Sequence, residues 1–182
     1  MARDVRLALV GFGNVGRRFA EQLRGPYARS LKAAGARVRV TGIATARHGL
    51  AIDARGLDLG RALRLVRKGG SLDALHRGLR VGDASGFIER VPADVLVEIT
   101  ALDPRSGQPA IAHVRQALHR GMHVVTANKG PVAFALRPLR GRAGASHLAS
   151  LISTIGVSIL LENVAHKLFG AGNHLFETPF AE

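Results

Sequence analysis

The stretch VRLALVGFGNVGRRFAEQLRG, residues 5 to 25, constrains the fold more than any other part of the chain. An apolar run over residues 5 to 10 ends at Gly11, and apolar side chains then recur at Val15, Phe19 and Leu23, the spacing of one helix face. This predicts a strand, a tight turn and a helix. Gly11, Gly13 and Gly16 stand in the G-x-G-x-x-G pattern. Such a pattern alone is common, but between a strand and a helix it fits dinucleotide binding. The first glycine makes the turn, the second lets the backbone approach a pyrophosphate, and the third lets the helix pack on the strand. Free N–H groups at the helix start then meet the anion. Gly11, Phe12, Gly13, Asn14, Val15 and Gly16 are therefore the candidate cofactor-binding residues, against the alternative of a purely structural turn.

Downstream, strands and helices go on alternating, without an internal repeat. A β-rich run, ARVRVTGIAT (36 to 45), follows a helix closed near Gly25 and Pro26. Residues 57 to 77 read as an amphipathic helix interrupted at Gly69 and Gly70 and restarted with Ser71 as cap. DVLVEIT (94 to 100) is a buried strand, residues 107 to 122 a helix ended by Gly121, HVVTA (123 to 127) another strand, and PVAFALRPLR the start of another helix with Pro131 in its first turn. Strands that are apolar throughout and alternate with helices predict an α/β chain of the Rossmann type, a doubly wound parallel sheet covered on both faces.

In such a sheet, ligands sit beyond the carboxyl ends of the strands. At the end of the second strand an acid would hold the ribose hydroxyls of NAD, but GIATARHG offers Thr45, Arg47 and His48, with no acid before Asp53. Thr45 and Arg47 thus favour the 2′-phosphate of NADP, with NAD as the alternative and a solvated Arg47 as the plain reading. Two further strands end at the same edge, one in Thr100 and Ala101, the other in Asn128 and Lys129. Lys129 would emerge where a nicotinamide ring lies; the plain reading is a lysine in a solvent loop.

The set GFGNVGRR, GLDL, VEIT and GQPAIAHVRQALHRGMHVVTANKGPVA resembles the nucleotide-binding half of homoserine dehydrogenase over about residues 3 to 143, with TANKGP as its most specific string. The resemblance implies NAD(P)-dependent interconversion of L-homoserine and L-aspartate 4-semialdehyde, on the route to threonine, methionine and isoleucine. It implies Lys129 as the catalytic residue near substrate and nicotinamide, Asn128 as the residue that fixes that loop, and Thr100 and Ala101 as cofactor contacts. An ammonium suits hydride transfer to an aldehyde, because negative charge builds on the oxygen.

After Ala143 the family pattern would continue into a substrate and dimerisation domain, and it is not recognisable here. The composition changes at the same place: 25 of the 26 basic residues and 10 of the 13 acidic ones precede residue 146, and no arginine follows Arg142. This predicts a nucleotide-binding domain over residues 1–145, an absent substrate domain, and an apolar tail over 146–182. The uncharged run from 148 to 161 is 14 residues, short of the roughly 20 that span a bilayer. The alternative function is a non-catalytic Rossmann module that associates with a partner or with itself through this tail. The formal charge of +13 raises nucleic-acid binding, but the arginines are scattered and no nucleic-acid-binding signature accompanies them. A small-molecule substrate is expected, with no nucleic acid, no membrane and a cytoplasmic location, and homo-oligomer formation through the tail is open. His113, His119 and His123 are not expected to hold a metal because Gly121 breaks the helix between them. Asp94, Glu98 and Asp103 raise the idea of paired carboxylates, with Glu98 read as a buried hydrogen-bonding group.

Overall fold

A computed structural model describes residues 3–140 of the chain. Strands β1 (Arg3–Val10), β2 (Ala36–Ala44), β3 (Leu50–Ile52), β4 (Val95–Glu98) and β5 (His123–Thr126) form one sheet in the order β3-β2-β1-β4-β5. Helices α1 (Asn14–Arg24), α2 (Pro26–Ala33), α3 (Leu59–Arg67), α4 (Ala84–Arg90), α5 (Ala110–His119) and α6 (Gly130–Arg140) connect and cover it. The period-2 alternation of β1 sends Leu7 and Leu9 to one face, where they pack with Ala20 of α1 and Leu63 and Val66 of α3. Ala8 and Val10 go to the other face, with Phe87 and Ile88 of α4 and Ala117 of α5. Both faces are dry, which is why the strands read as continuous apolar runs. The doubly wound α/β architecture is thus the observed one.

Pairings β1 with β2, β1 with β4 and β4 with β5 are parallel. The chain leaves β1 for β2 on one side and returns to place β4 on the other, so strand order reverses between β1 and β4. The crevice at that reversal is where an open α/β sheet binds ligands.

Three features differ from the sequence expectation. The sheet is not wholly parallel: β3 runs antiparallel to β2, with Gly42 opposite Ile52 and Ala44 opposite Leu50. Gly49, at φ +67°, reverses the chain, and Thr45 N donates to Gly49 O at 3.0 Å, closing a hairpin too short to show a period. Helix α1 ends at Arg24 with Gly25 as its C-cap, as expected, but Pro26 then opens a second helix, α2, in whose first turn its missing N–H is harmless. The helix expected over 57–77 is α3 alone, capped by Asp58, followed by a single 3-10 turn, Leu72–Leu75, which Ser71 does cap. The proposed boundary near residue 145, the apolar run 148–161 and the question of a substrate domain lie outside the described residues.

Close packing on the α4 face sets a testable limit. A Cβ added at Gly42 would stand 2.5 Å from Val91 Cγ2 and 2.7 Å from Phe87 Cζ, and both of those side chains are fully buried. Gly42→Ala is therefore expected to destabilise by about 1–3 kcal/mol through overpacking, measured as a lower urea midpoint with an unchanged slope.

Candidate functional site

The glycine turn lies at the carboxyl end of β1, against β4. Gly11 has φ +102°, and an added Cβ would collide with Ile99 O and stand 2.9 Å from Thr100 N. Its amide donates to Ala44 O at 2.9 Å, tying the turn to the end of β2 as well. A Cβ at Gly16 would stand 2.8 Å from Gly11 O and 3.0 Å from Ile99 Cδ1. Both glycines are thus required by the chain's own packing. Gly13 is different: φ is −75°, and among the described residues nothing lies within 4 Å of an added Cβ. No contact with the described residues demands glycine at 13, and the position is exposed.

Gly13 is also the N-cap of α1, and no side chain accepts from the first-turn amides. No acidic residue lies in that turn. By contrast Asp58 accepts from Arg61 N at the start of α3 (3.0 Å), and Asp83 from Gly86 N at the start of α4 (2.7 Å). The open space at Gly13 and the uncapped positive end of α1 together fit a diphosphate. Phe12 is buried beneath the turn, whereas Asn14 and Val15 are exposed at its rim. Asn14 Oδ1 accepts from Arg17 Nη2 at 2.6 Å.

At the end of β2, Thr45 is engaged within the hairpin: its hydroxyl accepts from His48 N (2.7 Å) and donates to Gly49 O (2.9 Å). Arg47 is exposed, without a hydrogen-bond partner among the described residues. Asp53 is carried away from this edge by β3; its amide donates to Thr41 O at 2.9 Å, three residues back along β2 from Ala44. Asp73 enters instead from the 3-10 turn, but its Oδ1 accepts from Leu50 N at 3.1 Å.

Beyond β4 and β5 lies a compact polar network. Glu98, the last residue of β4, is fully buried. Its Oε1 accepts from Thr100 N at 3.1 Å and from the Thr100 hydroxyl, and its Oε2 accepts from Thr126 Oγ1 at 3.0 Å. His113 of α5, also buried, sets Nδ1 3.8 Å from Glu98 Oε1, outside hydrogen-bond length. Burial pushes the Glu98 carboxyl up, but His113, Thr100 and Thr126 more than offset this and hold it below the ordinary value of 4.5.

Asn128 is buried too. Its amide donates to Thr126 Oγ1 (3.0 Å), its Oδ1 accepts from Gly130 N (2.9 Å), and its Nδ2 reaches Thr100 O and Ala101 O, each at 3.4 Å. Gly130 and Gly107 touch backbone to backbone, since a Cβ at 130 would stand 2.7 Å from the Gly107 Cα. Between these two anchored residues Lys129 is exposed. The structure therefore brings Gly11, Thr100, Asn128 and Lys129 to one rim of the sheet.

Other candidates separate. His119 and His123 are exposed while His113 faces Glu98, and no group of three metal-ligating side chains exists among the described residues. Asp94 lies at the opposite end of β4 from Glu98, paired with Arg6 at 2.6 Å, and Asp103 serves its own loop. Among the described residues no helix is long and apolar enough to cross a membrane. Glu98 and the packing glycines Gly107 and Gly130 did not stand out in the sequence as site residues. The signal available for Glu98 was a lone acid at the end of an apolar strand.

Residues 11–147 match the family described as homoserine dehydrogenase, NAD binding domain. The NAD(+)-dependent homoserine dehydrogenase of Pseudomonas canavaninivorans is 32% identical over 146 residues, 80% of this chain and 42% of that protein. The homoserine dehydrogenase of Methanocaldococcus jannaschii is 36% identical over 135 residues, 73% of this chain and 39% of that one. The chain thus spans about two fifths of the length of these relatives. Among solved structures, a hyperthermophilic archaeal homoserine dehydrogenase in complex with NADPH superposes with TM-score 0.63 at 27% identity, over 77% of this chain and 40% of that one. The homoserine dehydrogenase of Thermoplasma acidophilum gives TM-score 0.57 at 26% identity, over 78% and 40%.

Gly11→Ala is expected to lower stability by at least about 1 kcal/mol, from positive φ and backbone collision, whereas Gly13→Ala should stay within about 0.5 kcal/mol of wild type in the same denaturant titration. Glu98 has a lowered folded pKa, so its contribution to stability is complete above about pH 4.5 and is lost as pH falls through the folded value. The unfolding midpoint of wild type should accordingly fall more steeply below pH 4.5 than that of Glu98→Gln.

Proposed function

We propose, because this chain belongs to the homoserine dehydrogenase family through its NAD-binding domain, that residues 1–145 form a nicotinamide-nucleotide domain serving the interconversion of L-homoserine and L-aspartate 4-semialdehyde. The observation that carries the reading is Gly13: a glycine that no contact among the described residues requires, at the start of a helix without a side-chain cap there, in the sheet's crevice. The amides of Asn14, Val15 and Gly16 would hold the diphosphate, with Gly11 and Phe12 shaping the turn beneath it. Thr100 and Ala101 would line the nicotinamide end, and Asn128 would keep the neighbouring turn in place. The bound nucleotide supplies or accepts the hydride.

Lys129 acts at the other partner in the reaction. Its ammonium would face the carbonyl oxygen of the aldehyde, where negative charge develops, and stabilise that charge or deliver a proton to the oxygen. For the nucleotide we favour NADP over NAD. Arg47 is free beside the end of β2 and can meet a 2′-phosphate, and the nearest acid in sequence, Asp53, is drawn away along β3. Turnover we assign to this domain acting with a substrate domain, and small-molecule substrate binding to that combination.

In an NADPH fluorescence titration the purified chain is expected to bind, and the absence of any change at millimolar nucleotide would sink the reading. Gly13→Ala should weaken binding while leaving the urea midpoint near wild type. Arg47→Ala should weaken NADPH by roughly tenfold and leave NADH unchanged, the loss of one charge-assisted contact. Equal losses for both nucleotides would remove the NADP preference. Mixing the chain with a homoserine dehydrogenase that lacks only its cofactor domain should restore turnover, and Lys129→Ala should not.

A further inference from the structure

Glu98 is a buried carboxylate to which no task has been given. An apolar side chain would suit the sheet at less cost, since a buried unpaired carboxylate is unfavourable by several kcal/mol. Glu98 ends a strand whose two preceding residues, Leu96 and Val97, are buried and apolar. What it has instead is three donors, two from Thr100 just beyond β4 and one from Thr126 at the end of β5, on the two segments that flank the crevice.

We infer that Glu98 and Thr126 are positioning residues for Lys129. The Thr126 hydroxyl donates to Glu98 Oε2 and, with its proton directed there, accepts from Asn128 N. Asn128 Oδ1 in turn takes the amide of Gly130. The relay thus reaches the residue on each side of Lys129, while Oε1 holds Thr100, whose carbonyl Asn128 Nδ2 faces. An acceptor-only group is needed at 98, because both residues around it arrive with protons to give. His113 of α5 lies beside the carboxylate on its buried side, with Nδ1 3.8 Å from Oε1. The effect is that a long, solvent-exposed lysine projects from a turn whose backbone is fixed relative to Thr100 and the glycine turn.

The task given to Lys129 rests on the reading above, but the clamp itself can be tested without cofactor. Amide hydrogen exchange in the full chain, resolved by NMR, should be roughly five- to tenfold faster at Asn128 and Gly130 in Thr126→Val, the factor expected for one net hydrogen bond. Amides of β1 and β2, which report global opening, should be unchanged. Thr126→Ser should restore wild-type exchange. Glu98→Gln should give a smaller increase, because one amide arm can still accept from Thr100. Unchanged exchange at Asn128 and Gly130 in Thr126→Val would overturn the inference, as would acceleration spread equally over β1. If these amides respond as expected while wild type fails to bind NADPH, the cofactor reading falls and the clamp stands.

Discussion

The contact on which the rest depends is the close approach of the Gly11 backbone to the end of β4. No side chain fits between them, so the turn after β1 is pressed against Ile99 and Thr100, and the Gly11 amide holds Ala44 of β2. Three parallel strands therefore end at one point. The helix that starts there, α1, is in turn pulled onto β4 by Gly16, which sits against Gly11 and Ile99. An added methyl at either position would push the helix away and open the crevice at the strand-order reversal.

A second layer of order comes from hydrogen bonds rather than packing. The carboxyl ends of β4 and β5 leave the sheet, and the backbone groups beyond them need partners. Glu98, Thr126 and Asn128 provide these partners in a buried network, where each bond is worth more than it would be in water and each unmet donor would cost more. The surface charges do less. Arg6 with Asp94 staples β1 to the start of β4, and Arg39 with Asp4 links β2 to β1, but both pairs are partly open to solvent, which screens them and limits what each contributes. With 26 basic residues against 13 acidic ones, the excess positive charge shapes the field around the molecule, not its fold.

Much of this was legible in the chain, and the limits have physical causes. The strands β1, β2, β4 and β5 and the helices α1, α3, α5 and α6 announce themselves through apolar period and punctuation. Strand β3 does not, because three residues are too few to show alternation, and its direction depends on the hairpin that Gly49 and Thr45 close. Helix α4 has seven residues, and its core contacts, Phe87 and Ile88, are adjacent in sequence and show no helical period. Pro26 was ambiguous, since proline ends one helix and opens the next by the same missing N–H. The site residues in the glycine turn were readable because their spacing is local. Glu98 was legible as a buried hydrogen-bonding group in an apolar strand, as it is, but Thr126, which donates to it, and His113, which lies beside it, are 28 and 15 positions away.

By itself the sequence determined that this chain alternates strands and helices around a glycine turn, since period and turn chemistry act over a few residues. It also placed Lys129 at a strand end. Only the tertiary structure decided which glycine is free to face a ligand, because Gly11, Gly13 and Gly16 are alike until their neighbours are known. It alone sent Asp53 away from the end of β2, and it alone gathered Glu98, Thr126 and Asn128 around one turn. Those outcomes turn on contacts between segments far apart in the chain, and local pattern carries no record of them.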